Sequence, residues 1–525
     1  MTNTRQRSRA GRWATLEQEW DVIVVGGGIT GAGILREATR AGLRALLVER
    51  QDFAWGTSSR SSKLVHGGLR YLAQGHLQLT RESVAERERL LREGPGLITP
   101  LGFLFAMYRG EWAKRMLYQA GLAVYDLLGR RWEHQHLSAS TFQLLAPHAK
   151  TANLRGGLRY VDAQTDDARL VLRVIQEAEH AGATALNYVA ATGLLRENGE
   201  VVGVTLRDGV GERAATARAK VVINATGVWV DTLRREVDAP PKMRPLRGSH
   251  LVFAGWRFPV AQGISFVHPG DGRPVFVVPW EGATIIGTTD LDHSGALEAE
   301  PTISLDELHY LMAAVTSQFP ALNLSLDDII STWSGVRPVV GTGAASPSQE
   351  LRDHVVWDEH GLLTVTGGKL TTFRLIALDA LRAIAHRLPT MRPLEAAAPV
   401  LDAPGADLDA PLDATARQRL LGRYGSEAAA LVAAAHPGEL APIPGTPTLW
   451  AELRWAARHE AVVQLADLLL RRVRIGLLLP NGAAEMLPAI RQICQPELGW
   501  DDAHWEQDAA AYHELVARHY GVPGG

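Results

Sequence analysis

Gly26, Gly28 and Gly31 stand in the G-x-G-x-x-G spacing, directly after the apolar run Asp21 to Val25 and directly before a helical pattern. A second apolar run, Ala45 to Val48, closes on Glu49, which lies 23 residues beyond Gly26. This order describes a strand, a tight turn, a helix and a second strand ending in an acid. Each part has a chemical use. Gly26 permits the turn, Gly28 lets backbone approach a pyrophosphate, and Gly31 lets the helix lie close to the strand. The free N–H groups and positive dipole end of the helix hold phosphate, and Glu49 accepts from ribose hydroxyls. The unit reads as a dinucleotide site, and its place near the start of the chain favours FAD over NAD.

The stretch from Gly56 to Tyr71 is dense in hydroxyls and glycines. Thr57, Ser58, Ser62, Lys63, His66, Gly67 and Gly68 are candidates to line the diphosphate or the isoalloxazine edge. A phosphate dianion needs paired positive charge and planar donors. Arg70, Arg337 and Lys369 offer these, and Tyr71 adds a hydroxyl. Arg337 falls between Gly335 and Pro338 after a strand-like run, an awkward place for a freely solvated side chain. A flavin that oxidises its substrate also requires a base and a reacting carbon held close to the hydride acceptor. His250 and His66 both suit the base, with His250 favoured, and Arg337 or Lys369 could steady the developing alkoxide.

These residues must be positioned by a large α/β protein. The 525 residues suffice for two or three domains, and the net charge of −3, from 54 basic and 57 acidic residues, gives no global field for nucleic acid. Cys494 is the only cysteine, so neither an internal disulfide nor a cysteine metal cluster arises within the chain. Asp290 to Gly295 imitates the start of a calcium loop, but the twelfth position is Pro301, so no metal site is expected. The predicted organisation has a basic tail at 1–20 and a Rossmann-like FAD-binding domain from 21–95, 150–245 and 340–392. A sheet-rich substrate cap comes from 96–149 and 246–339. A Pro-, Ala- and Asp-rich linker at 393–411 leads to a helical C-terminal domain at 412–525.

The stretch GTSSRSSKLVHGGLRYL, residues 56–72, resembles the signature of the FAD-dependent glycerol-3-phosphate dehydrogenases. Other stretches resemble that family in the same order: Asn224 to Val230, Arg247 to His250, Trp333 to Pro338, Gly367 to Arg374 and Asp467 to Arg472. Val228 stands where a proline is common, and Arg60 is larger than the residue often found there. The resemblance implies that Gly227, Gly368, Lys369, Leu370 and Thr371 contact a non-covalent FAD, and that Arg352 joins the phosphate cations. It implies oxidation of sn-glycerol 3-phosphate to dihydroxyacetone phosphate with electrons passed to a quinone. An oxygen-using oxidase and, further off, an amine oxidase of the same broad fold are the alternatives.

No segment is apolar for the length of a membrane span, and residues 1–20 have no apolar core of a secretory signal. In 109–131, Trp112, Met116, Ala120, Val124 and Leu127 share one helical face among Arg109, Lys114, Arg115, Arg130 and Arg131. Such a face suits either an anionic membrane surface or the protein interior. With the resemblance, the expectation is a cytoplasmic protein held peripherally on the inner face of the cell membrane. A homodimer is compatible with the chain.

Overall fold

The strand Trp20–Val25 is buried along its whole length, as the apolar run Val22–Val25 requires of a strand covered on both faces, and its one charge, Asp21, is paired with Lys220. It is the centre of the first sheet in a computed structural model that describes residues 9–69, 72, 75–130, 132–343, 350, 353–405 and 407–524. The sheet runs His354–Glu359, Leu362–Gly367, Ala214–Asn224, Trp20–Val25, Ala45–Val48, Thr184–Leu186. All neighbours are parallel except the edge strand His354–Glu359. A hairpin, Val189–Glu197 with Glu200–Asp208, extends it on the outer half of Ala214–Asn224. Helices Ile29–Arg40, Asp167–His180 and Phe373–Ile384 bury their apolar faces in a shared core with the strands. Asp166 starts the second of these by accepting the Arg169 N–H.

A second, ten-stranded and mostly antiparallel sheet lies beside the first. At one side of it, Met243–Ala254 and Ile329–Val340 are in continuous register from Met243 opposite Val340 to Val252 opposite Ser331. Leu154–Thr165 belongs to this sheet, paired with Ile98–Tyr108. The expected FAD domain at 150–245 includes this strand, whereas its pairing puts it in the second sheet. Its alternation suits either sheet, and the long partner strand decides between them.

Residues beyond 412 are helical among those described. Leu453, Leu465, Leu469 and Ile475 share a core with Trp280, Ile285 and Trp333 of the second sheet. The 393–411 segment is not a loose connection. Val400, Leu401 and Leu408 are buried, and Asp402 pairs with Arg36. Helix Trp112–Gly129 turns Leu122 and Tyr125 inward and leaves Met116, Leu117, Ala120, Val124 and Leu127 exposed. No helix among the described residues is long and apolar enough to cross a membrane.

The tightest packing in the first sheet is at the glycine turn. A Cβ on Gly31 would lie 1.9 Å from Gly26 O, a backbone atom that cannot step aside. Gly31→Ala is expected to cost about 3 kcal/mol or more, as overpacking against rigid backbone does. Urea unfolding of the variant should show this. A midpoint equal to wild type would mean that the helix does not lie this close.

Candidate active site

The parallel strands of the first sheet end together, and their carboxyl ends are where an open α/β sheet binds its ligand. Val25 leads into the glycine turn, Val48 into Glu49, Asn224 into Gly227, and the strand Leu362–Gly367 into Gly368. Gly26 has φ +114°, and a Cβ there would meet Ala225 O at 2.5 Å. At the helix start the Ile29 N–H donates to Ser58 Oγ at 3.0 Å, so a hydroxyl occupies the position that suits phosphate oxygen. Glu49 accepts from Gly27 N–H at 2.6 Å and Gln51 N–H at 2.8 Å, and burial raises its pKa.

The other cofactor candidates surround this turn or join it to the second sheet. Thr57 Oγ1 donates to Val336 O at 2.5 Å. Gly227 has φ +64°, and its carbonyl accepts from Thr366 Oγ1 at 3.1 Å. Gly67 N–H donates to Asp162 Oδ1 at 3.0 Å, and a Cβ on Gly67 would stand 2.3 Å from the Tyr125 hydroxyl. Gly68 and Gly368 have φ of +83° and +74°. The His66 carbonyl accepts from Thr371 Oγ1 at 3.1 Å, while Leu370 packs on the core. Hydroxyls and N–H groups at the helix start, an acid at the second strand end and glycines that keep the turns open form a cradle that fits a dinucleotide such as FAD.

Lys63 departs from its expected place. Its ammonium is fully buried, bound to Asp167 at 2.8 and 3.0 Å and to Ser59 O at 2.6 Å, and it lies 4.8 Å from the centre of the Trp333 ring. Burial and the Arg474 guanidinium hold its pKa down to about 7. Its side chain is therefore spent on the protein interior, and only its backbone faces the loop.

His250 and Arg337 lie on the paired strands Met243–Ala254 and Ile329–Val340. His250 is opposite Trp333, Gly248 opposite Gly335, and Leu246 opposite Arg337. Side chains of paired residues two apart share a face, so imidazole, indole and guanidinium all stand on one side. Glycines on these strands keep clear the space that the neighbouring side chains fill. A Cβ on Gly248 would come 2.2 Å from Arg337 Nη2, and one on Gly287 would come 2.2 Å from the His250 ring. Arg337 is aimed by Asp290 at 3.0 Å and Thr288 Oγ1 at 2.9 Å.

The His250 ring stacks on Trp333 with centroids 5.0 Å apart, and its Nε2 is 2.8 Å from Ser62 Oγ. Nδ1 is buried without a hydrogen-bond partner among the described residues. Burial first, then Arg337 and Lys63, push its pKa well below the usual 6.5, so the ring is neutral. Trp333 thus has a cation on one neighbouring side and the imidazole stacked on it. In the sequence Trp333 stands only within a motif and Asp290 only at the start of the rejected calcium loop, and neither Thr288 nor Asp167 has an assigned role. The alternation Trp333, Gly335, Arg337 was the signal for Trp333.

Lys369 follows the strand Leu362–Gly367, and its Nζ donates to Ser83 Oγ at 3.2 Å. Arg70, Tyr71 and Arg352 lie outside the described residues.

Residues 21–374 match the model of the FAD-dependent oxidoreductase family, and residues 385–505 match that of the C-terminal domain of alpha-glycerophosphate oxidase. An aerobic glycerol-3-phosphate dehydrogenase of Staphylococcus haemolyticus is 34% identical over 483 residues, covering 87% of this chain and 86% of that protein. Among solved structures, the glycerol-3-phosphate dehydrogenase of Bacillus halodurans, complexed with FAD, superposes with a TM-score of 0.78 at 29% identity and 98% coverage of both chains. The L-alpha-glycerophosphate oxidase of Mycoplasma pneumoniae superposes with a TM-score of 0.57 at 18% identity, covering 70% of this chain and 95% of that one, a likeness of fold. The fold and the cradle are those of an FAD-dependent oxidoreductase. Within that class, the chain belongs to the aerobic glycerol-3-phosphate dehydrogenase family.

A neutral, buried His250 has a measurable signature. Its folded-state pKa is below the unfolded value, so the unfolded chain takes up the proton first. Stability from this residue is fully present above pH 6.5 and falls as pH drops towards the folded pKa, by at most about 1.4 kcal/mol per pH unit. His250→Gln should flatten the loss of stability between pH 7 and 5 in urea unfolding. An unchanged slope would mean that the imidazole is not held neutral.

Proposed function

We propose that this protein oxidises sn-glycerol 3-phosphate to dihydroxyacetone phosphate and passes the electrons to a membrane quinone. The observation that carries the reading is the shared face of His250 and Arg337 on two paired strands beside the flavin cradle. Bound FAD supplies the hydride acceptor. The remaining work falls to this chain. Arg337, held by Asp290 and Thr288, presents a planar fork to the phosphate dianion. Lys369, Arg70, Tyr71 and Arg352 are proposed to complete the phosphate site, and Lys369 and Arg337 to steady charge on the substrate oxygen.

His250 takes the proton of the secondary hydroxyl at Nε2, the ring atom that faces Ser62, because Nδ1 is sealed in the interior. The dianion also bears on the base. Arg337 is one of the two cations that depress the His250 pKa, and a phosphate beside Arg337 offsets that field. Substrate binding therefore makes the imidazole a stronger base at the moment it is needed.

Electrons leave by a surface route. Leu117 and Leu127 are 73% and 72% exposed on the same helix as Met116, Ala120 and Val124, and Arg109 and Arg130 lie just beyond its ends. That pattern favours docking on an anionic membrane, where quinone is found. The match of the C-terminal region to an oxidase domain supports a second reading, transfer to oxygen with release of peroxide.

Anaerobic mixing with sn-glycerol 3-phosphate should bleach the flavin's visible band, whereas glycerol should not. Arg337→Ala should lower kcat/KM by about 100-fold, the loss of a charge-assisted contact. Full activity in that variant would remove Arg337 from the site. A peroxide assay under air separates quinone from oxygen use.

Flotation with anionic vesicles tests the membrane. Leu117→Glu with Leu127→Glu should leave the protein at the bottom of the gradient, and equal flotation of variant and wild type would exclude this helix as the docking face.

A further inference from the structure

The Asp467 to Arg472 stretch has no part in the chemistry above, yet it reaches the flavin cradle from the C-terminal domain. Leu468–Arg472 is a π-helical turn, a form frequent at functional sites. It sets two consecutive arginines against one carboxylate, Asp52, three residues beyond Glu49. Arg472 binds Asp52 with both arms of its fork, Nη1 at 2.6 Å and Nη2 at 2.7 Å, and Arg471 Nε adds a third contact at 2.5 Å. Asn187 Nδ2 completes the shell at 2.9 Å, and Asp467 holds the other side of Arg471 at 2.6 Å. Asp52, Asp467 and Arg472 are fully buried and Arg471 nearly so.

The residues after Asp52 rest directly on the glycine turn. The Ala54 N–H donates to Gly27 O at 3.0 Å, and the Phe53 ring lies 2.9 Å from where a Cβ on Gly27 would be. At the far end of the same loop, Arg474 donates to Ser59 O at 2.8 Å, next to the Ser58 that caps the helix start. The C-terminal domain therefore grips both ends of the segment 52–59.

We propose that Arg471 and Arg472 are positioning residues for the cofactor: through Asp52 they hold the loop that closes on the dinucleotide turn, so that FAD affinity depends on the C-terminal domain. The inference requires only that the protein binds FAD and is independent of its substrate. The two arginines are matched by two buried carboxylates, Asp52 and Asp467, and the guanidinium fork fixes direction as well as distance, which an apolar contact does not.

The test uses holoenzyme carrying Arg472→Lys, Arg472→Met or Asp52→Asn, and reads the FAD dissociation constant from flavin released on dilution. Arg454→Met is the control. It breaks a comparable arginine contact, to Glu439 at 2.6 Å, that touches no part of the loop. The expected result is an FAD dissociation constant raised about tenfold in Arg472→Met and Asp52→Asn, the size of coupling through a packed network, with Arg472→Lys in between. The control should lower the unfolding temperature without moving the constant. The proposal is overturned if Arg472→Lys and Asp52→Asn bind FAD within twofold of wild type, or if Arg454→Met weakens FAD equally. Should Arg472→Met fail to fold, the other two variants decide the matter.

Discussion

Two adjacent carboxylates, Asp166 and Asp167, lie in the interior where a solitary charge would be very costly, and the rest of the molecule is arranged around neutralising them. They begin the helix Asp167–His180. Asp166 caps it and receives Arg423 at 2.9 Å from the C-terminal domain. Asp167 receives Lys63 Nζ together with the N–H and hydroxyl of Ser61 from the flavin loop. Removing one partner of such a buried set costs about 3–5 kcal/mol, because an uncompensated charge remains. The flavin loop, the first sheet and the helical domain cannot separate without paying that cost in full. This explains why residues hundreds apart in sequence can form one site.

The same charges set the chemistry. Lys63, held by Asp167, lies against Trp333, and His250 stacks on that ring. Arg337 adds a second cation on the same sheet face. Both fields act on an imidazole already removed from water, and each disfavours its protonated form. A base must be unprotonated before it works and able to hold a proton afterwards. The fold secures the first condition by burial and positive charge. In the proposed reaction the substrate anion beside Arg337 supplies the second.

Sequence showed the parts whose chemistry is local. The glycine spacing, the acid that ends the second strand and the α/β class follow from contacts within about thirty residues, and a strand–turn–helix unit carries its own signal. Pairings across the chain left no such signal. Leu154–Thr165 alternates as a strand of either sheet would, and only its partner Ile98–Tyr108 assigns it. A lysine among serines beside a glycine turn reads as a cofactor contact. Lys63 instead faces an aspartate 104 residues away. Trp333 read as part of a motif, and its role as the surface under His250 needed the register of two strands. The exposed face of Trp112–Gly129 was visible as a periodicity, but periodicity cannot say whether a stripe points inward. Leu122 and Tyr125 take the inward place on that helix.

Apolar burial alone would not have built this site. The core shared by the second sheet and the helical domain brings Trp280 and Trp333 against Leu453, Leu465 and Leu469, and such contact is non-directional. It tolerates small slides between the two bodies. A cradle drawn from the first sheet, the second sheet and the loop between them tolerates much less, because an error of an ångström at a reacting group is costly. Bidentate arginine pairs remove that freedom. Arg472 on Asp52 and Arg169 on Glu460 each fix two atoms against two, at both sides of the π-helical turn. Hydrophobic surface supplies the attraction between the bodies, and the buried ion pairs decide the single arrangement in which the flavin loop, His250 and Arg337 meet.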